Sequence, residues 1–250
     1  MKQSTKKFIG LFLCLTQIVL LISFSAQATH FSDVSSSNAF LDSINFATDN
    51  NYMVGATSTT FQPTSVTTRG ALVYALYKMD GARSTAGMSM PFTDVSSSAY
   101  YYNAVKRGKY YGIVAGTSST TFDPNTSVKR QDIAVFYYRY TNYLNNYRGT
   151  DYDTTTRAST SSFADYDSIS SYAQEPARWA IGTKVMSFFT YSGFYPTSTM
   201  NRNGFADTIV NFGMFIEGVK LDRDAFSFKN DKENFTYKIA EGDRKSTRLN

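Results

Sequence analysis

One pattern constrains this chain more than any other: a set of landmarks recurs three times in register. The tetrapeptides FSDV, FTDV and FADY stand at residues 31–34, 92–95 and 163–166. Counting from the Phe of each, a second Phe follows after 30, 30 and 31 residues (Phe61, Phe122, Phe194). A Pro follows after 32, 32 and 33 (Pro63, Pro124, Pro196), and an Arg after 38, 38 and 39 (Arg69, Arg130, Arg202). Four landmarks kept in step through three copies identify a repeat array, so the fold must be built from one supersecondary unit used three times.

The second copy states the local logic most clearly. Ser96, Ser97 and Ser98 offer N-cap hydroxyls, and Tyr101, Ala104, Val105 and Gly108 then fall at i, i+3, i+4 and i+7, one face of a helix. Gly112 ends that helix, since glycine enters the left-handed region at little cost. A turn-rich stretch from Gly116 to Asn125 crosses back, with Phe122 as an apolar plug and Pro124 as a stop. A second helix starts near Arg130 and presents Ile133, Phe136, Tyr137 and Tyr140 on one face. Each unit is thus helix, loop, helix, and the fold class is mainly α. The units run over residues 31–81, 92–144 and 163–220, with the third degenerate. Linker compositions separate them at 82–91 and 145–162. Past Leu221, alternation at Phe226, Phe228, Phe235, Tyr237 and Ile239 predicts short strands of a further, truncated region spanning 221–242.

The two ends differ from the repeats. Lys2, Lys6 and Lys7 precede an apolar run from Phe8 to Phe24 and then Ala26-Gln27-Ala28, so residues 1–28 have the layout of a secretory signal cleaved after Ala28. The run is about 17 residues, short for a membrane span. The only cysteine, Cys14, lies inside it, so the mature chain must hold together by burial rather than by disulfides. Residues 243–250 can be encoded by GAT CGG AAG AGC ACA CGT CTG AAC, which resembles a sequencing adapter; they are read as an assembly artefact, with the natural chain expected to continue. Lys and Arg number 25 and Asp and Glu 20. Setting aside three basic residues in the first segment, and three basic and one acidic in the last, leaves 19 of each sign. The basic balance therefore belongs to the ends, and a nucleic-acid or anionic-membrane partner loses its main support.

The Phe-x-Asp-Val opening, the GIVAG segment at 112–116, the Phe-x-Pro landmark and the Arg opening the second helix together resemble the S-layer homology family, over residues 31 to about 220. The third copy, with Tyr172, Ala173, Ala177, Trp179 and Ala180, also resembles the family's first-helix pattern. The resemblance implies three helix-loop-helix units packed as a pseudo-threefold bundle. It implies non-covalent binding of an acidic, pyruvylated secondary polysaccharide of the bacterial cell wall in grooves between units, hence an exported, wall-associated protein that is not an enzyme in the residues present. Arg69, Arg130 and Arg202 are the implied determinants, with Asp33, Asp94, Gly112 and Gly116 around them.

Physical chemistry supports an anion at those arginines. A cation in the first turn of a helix opposes the helix dipole, so three such placements ask for a negative partner. A carboxylate ligand would receive an Arg fork together with the free N–H groups of the helix end. An internal pair with Asp33, Asp94 or Asp165 is the competing reading. The family's Thr-Arg-Ala-Glu capping box is worn: it stands here as Thr68-Arg69-Gly70-Ala71, Lys129-Arg130-Gln131-Asp132 and Asn201-Arg202-Asn203-Gly204. The turn glycines become Asn51, Gly112 and Lys184, then Gly55, Gly116 and Phe188. Copy two is thus best preserved and copy three least, which makes Arg130 the expected stronger anchor and Arg202 the weaker.

The lone histidine, His30, cannot assemble a zinc set or a nucleophile pair, and no metal or cofactor is expected. Asp151 with Asp153 and Asp165 with Asp167 read as turn formers. The tyrosines at 137, 138, 140, 143 and 147 read first as helix packing and second as a sugar-stacking surface. Two rival functions stay open: tether of a surface polysaccharide-degrading enzyme whose catalytic part lies beyond this chain, and a self-associating lattice subunit.

Overall fold

A computed structural model describes residues 30–217. The signal-like segment, the alternating segment after Leu221 and the adapter-like tail lie outside the described residues. Six helices follow in order: α1 (Leu41–Asp49), α2 (Arg69–Met79), α3 (Tyr102–Tyr110), α4 (Arg130–Arg148), α5 (Ser171–Gly182) and α6 (Arg202–Glu217). They form three helix-loop-helix units, and no strand longer than an isolated bridge occurs among the described residues. None of these helices is long and apolar enough to cross a membrane.

The helices pack across units more than within them. The principal contacts join α2 to α3, α4 to α5 and α6 to α1, so the second helix of each unit lies against the first helix of the next and the third closes on the first. α1 and α3 have nine residues each. Helices of that length do not persist alone in water, so burial of their faces against the neighbouring unit maintains them. The expected faces are found: Ala104, Val105 and Gly108 are buried on α3, and Ile133, Phe136, Tyr137 and Tyr140 on α4. One continuous core joins all three units, with Phe61, Phe122 and Phe194 each fully buried.

The middle of the ring is backbone. The residues just before α2, α4 and α6 pair with one another through bridges Val66 to Asn201, Thr68 to Ser127 and Lys129 to Thr199. Thr67 N–H donates to Met200 O at 2.8 Å and Val128 N–H to Thr67 O at 2.9 Å. Thr67, Val128 and Met200, one from each unit, are buried there.

Three local expectations need correction. Ser96–Ser98 do not cap α3; Ser96 Oγ instead meets Ser98 Oγ and N–H in a turn three residues upstream, and Tyr101 occupies the cap position. α4 runs on to Arg148, ending at Gly149 with φ of 69°, so it includes the first residues expected in the linker. The rest of that linker is fastened: Asn145 holds Tyr152 N–H and O, and Ala158 N–H donates to Arg178 O. Of the remaining readings, those of Trp179 and Asp153 hold, whereas the Asp165 side chain forms no local turn and instead accepts from Phe194 and Tyr195 N–H. Trp179 is fully buried, donating Nε1–H to Asp153 O, and Asp153 closes a turn by accepting from Thr155 and Thr156 N–H. His30 Nε2 lies 3.0 Å from Asp49 Oδ1, with both side chains about half exposed.

Candidate functional site

The site begins with the Phe-x-Pro loop and the aspartate that holds it. Asp33 accepts from Phe61 N–H and Gln62 N–H, both at 2.7 Å. Asp94 accepts from Phe122 N–H at 2.9 Å and Asp123 N–H at 2.7 Å. Asp165 accepts from Phe194 N–H at 2.9 Å and Tyr195 N–H at 2.6 Å. The middle residue of each loop, Gln62, Asp123 or Tyr195, is left-handed, with φ of 57°, 56° and 53°. Such backbone is strained for residues with a side chain, and the carboxylate clasp holds it. Desolvation opposes ionisation of Asp33, but the backbone donors outweigh it and keep its carboxyl below the usual carboxylate range. The aspartates therefore do not pair with the arginines; they shape the loop.

That shape turns the Phe carbonyl outward to the preceding unit, where an arginine takes it. Arg69 donates from Nε to Phe122 O and from Nη2 to Ala115 O, both at 3.0 Å. Arg130 donates to Phe194 O at 2.7 Å and Ser187 O at 2.8 Å. Arg202 donates to Phe61 O at 2.7 Å and Val54 O at 2.5 Å, closing the ring. Each guanidinium also lies over the same Phe ring, at 4.8, 5.2 and 4.4 Å from its centroid.

Each groove therefore combines the arginine of one unit with the loop of the next. Arg69 faces the loop containing Gly112 and Gly116. Arg202 faces the loop containing Asn51 and Gly55. Arg130, from the best-preserved copy, faces the most altered loop, with Lys184 and Phe188. Lys184 does reach the left-handed region, at φ of 66°. Gly116 is required by crowding: a Cβ there would overlap the Ser118 and Thr121 carbonyl oxygens and the Phe92 ring. In the third loop, Phe188 packs edge-on against Phe163 at 5.0 Å, and Phe189 lies over the Arg130 guanidinium at 5.8 Å.

The helix ends are not open, which overturns the expectation that their N–H groups would help to capture a ligand. Arg69 and Gly70 N–H donate to Thr126 O and Pro124 O, Arg130 and Gln131 N–H to Ser198 O and Pro196 O, and Arg202 and Asn203 N–H to Ser65 O and Pro63 O. The neighbouring loop occupies those donors in all three units. The caps survive in part: Thr68 Oγ1 accepts from Ala71 N–H and Asn201 Oδ1 from Gly204 N–H, while Lys129 supplies none.

What remains unanswered is charge. None of Arg69, Arg130 and Arg202 forms an ion pair among the described residues. Desolvation lowers the pKa of each, to about 10 for Arg130, where only Asp165 offsets it. For Arg69 the offset comes from Asp132, Asp123, Tyr172 and Asp94, and for Arg202 from Tyr100 and Asp33. A guanidinium has five N–H donors; two bonds to carbonyls leave the outer edge, with Nη1, for a ligand. Tyr172 and Tyr100, from the unit after the loop, escaped the sequence reading because their nearness to Arg69 and Arg202 arises only when the ring closes. The same register in the first unit holds Ala39, so the Arg130 groove has no such hydroxyl.

Comparison with known proteins agrees with this architecture. The chain is similar to an endoglucanase from Bacillus sp. (strain KSM-635), 26% identical over 184 residues, which covers 74% of this chain and 19% of that protein. The family model of the S-layer homology domain matches residues 30–72 and 91–134, each from just before the Phe-x-Asp opening to just past the arginine. The model of the S-layer homology domain, a module of cell-wall anchoring, thus matches two of the three units.

Proposed function

We propose that this chain holds an exported protein on the bacterial cell surface by binding an acidic, pyruvylated wall polysaccharide in the grooves at Arg69 and Arg202, with the third unit acting as a degenerate member of the same family. The observation that carries this reading is the set of desolvated guanidinium groups bonded only to carbonyl oxygens. A buried cation without a counter-charge is costly, and a ligand carboxylate at the free Nη1 edge offsets that cost with charge-assisted hydrogen bonds. The Arg130 groove is the weakest of the three. Its guanidinium is the most buried, lies under Phe189 and lacks the neighbouring tyrosine.

On this reading the described residues are a binding module and not a catalyst. The endoglucanase relative favours a second, compatible role as tether of a polysaccharide-degrading enzyme, since this chain spans about a fifth of that protein's length. Cosedimentation with purified walls, before and after removal of the secondary polysaccharide, tests the proposal. Binding is expected to native walls and to be lost on stripped ones; equal pelleting with both would defeat it.

A further inference from the structure

A second groove runs along α4 between α3 and α5, about 510 Å³ in volume. Tyr111, Tyr147 and Tyr172 line it with aromatic rings, and Arg139, Asn142 and Asn146 supply polar groups. We infer that this groove is a further subsite for the same glycan, taking the sugar residues next to the one held at Arg69; the inference rests on the reading given under Proposed function.

Its chemistry separates it from ordinary helix packing. Tyr137, Tyr140 and Tyr143 on α4 are at most 2% exposed, whereas Tyr147 is 62% exposed and Tyr172 on α5 55%. Tyr147 is nevertheless held, stacked on Tyr143 at 5.8 Å and edge-on to Tyr111 at 5.1 Å, so its ring is placed before any ligand arrives. Rigid aromatic faces offer contact area at low entropic cost, and a sugar ring presents C–H faces to such surfaces while its hydroxyls seek amide and guanidinium partners. Asn142 donates Nδ2–H to Tyr138 O, which leaves its Oδ1 to accept. Arg139 has neither an ion pair nor a hydrogen bond among the described residues, and no carboxylate lines the groove. An acidic glycan fits that balance better than a neutral or basic partner.

The two grooves meet at the GIVAG loop: Gly112 lines this one, and Ala115 O, three residues on, accepts from Arg69 Nη2 at 3.0 Å. Tyr172 also lines this groove, and its hydroxyl donates to Asp132 Oδ1 at 2.7 Å. Burial first, and then Asp132, push its pKa up to about 12, so it stays a neutral donor. Arg139 lies seven residues beyond Asp132, roughly 10 Å along the helix, farther than a single sugar ring reaches. The groove is therefore expected to read oligosaccharides and to ignore monosaccharides.

The test is calorimetric titration of the full chain with two probes: a pyruvylated amino-sugar monosaccharide, and oligosaccharide fragments released from purified wall polymer. Arg139→Gln and Asn146→Asp should each weaken fragment binding about tenfold, the effect of losing or opposing one charged hydrogen bond. Both should leave monosaccharide affinity within about twofold. Arg69→Gln should weaken both probes. Unchanged fragment affinity in Arg139→Gln and Asn146→Asp, with the monosaccharide still bound, would overturn this inference and leave the anchoring proposal standing. Failure of the unmodified chain to bind either probe would remove both.

Discussion

At the scale of single residues, the three arginines share one geometry and differ in their surroundings. Arg130 is 6% exposed and bonded to Phe194 O and Ser187 O. Arg130→Ala is expected to cost about 3 kcal/mol, since it leaves buried carbonyls unsatisfied, and thermal or denaturant unfolding checks this. Arg69 and Arg202 are less buried, so their replacement should show mainly in binding. Two glycine positions make opposite predictions. Gly116→Ala forces a Cβ into backbone oxygens and the Phe92 ring, and should destabilise the chain by about 2 kcal/mol. Lys184→Gly relieves a left-handed lysine and should stabilise it by about 0.5–1 kcal/mol, read as a raised denaturation midpoint.

At the scale of elements, the clasped loop and the α1–α6 pair carry charges of opposite sign in their pH dependence. Asp33 has a depressed pKa in the fold, so its stabilisation is complete above the ordinary carboxylate range and is lost as pH falls through the folded value. Asp207 on α6 is the reverse. Burial raises its carboxyl, with Ser43 and Asn211 only partly compensating, so its cost is present near neutral pH and vanishes as it protonates. Asp207→Asn should therefore raise stability near neutral pH by about 1 kcal/mol and give no gain below about pH 3; melting curves at the two pH values decide it.

The repeated unit, its helix faces and the loop landmarks were legible in the sequence because they obey local periodicity. Which loop each arginine enters was not. That depends on the second helix of a unit packing against the first helix of the next, a relation between residues as distant as Arg202 and Phe61. For the same reason the order of preservation among copies ranked Arg130 by its own copy, while its groove is finished by the third. Tyr147 could be placed on α4 from spacing, but its exposure is set by where α3 and α5 end beside it.

At the scale of the whole molecule, ring closure is the organising fact. α6 covers α1, the segments before α2, α4 and α6 bridge one another, and Arg202 reaches back to Phe61 and Val54. No unit completes a groove alone. Residues 30–148, which retain two units, should lose cooperative unfolding, whereas residues 30–217 should unfold in one transition; calorimetry on both distinguishes this from three independent domains. The anchoring role rests most directly on which arginine meets the wall. The deciding measurement is cosedimentation of the unmodified chain, Arg69→Gln and Arg130→Gln with native cell walls, each checked for folding by circular dichroism. A folded Arg69→Gln should lose most of its pelleting and a folded Arg130→Gln should keep most of it; retention by the first with loss by the second would contradict the pairing of each arginine with the loop of the following unit.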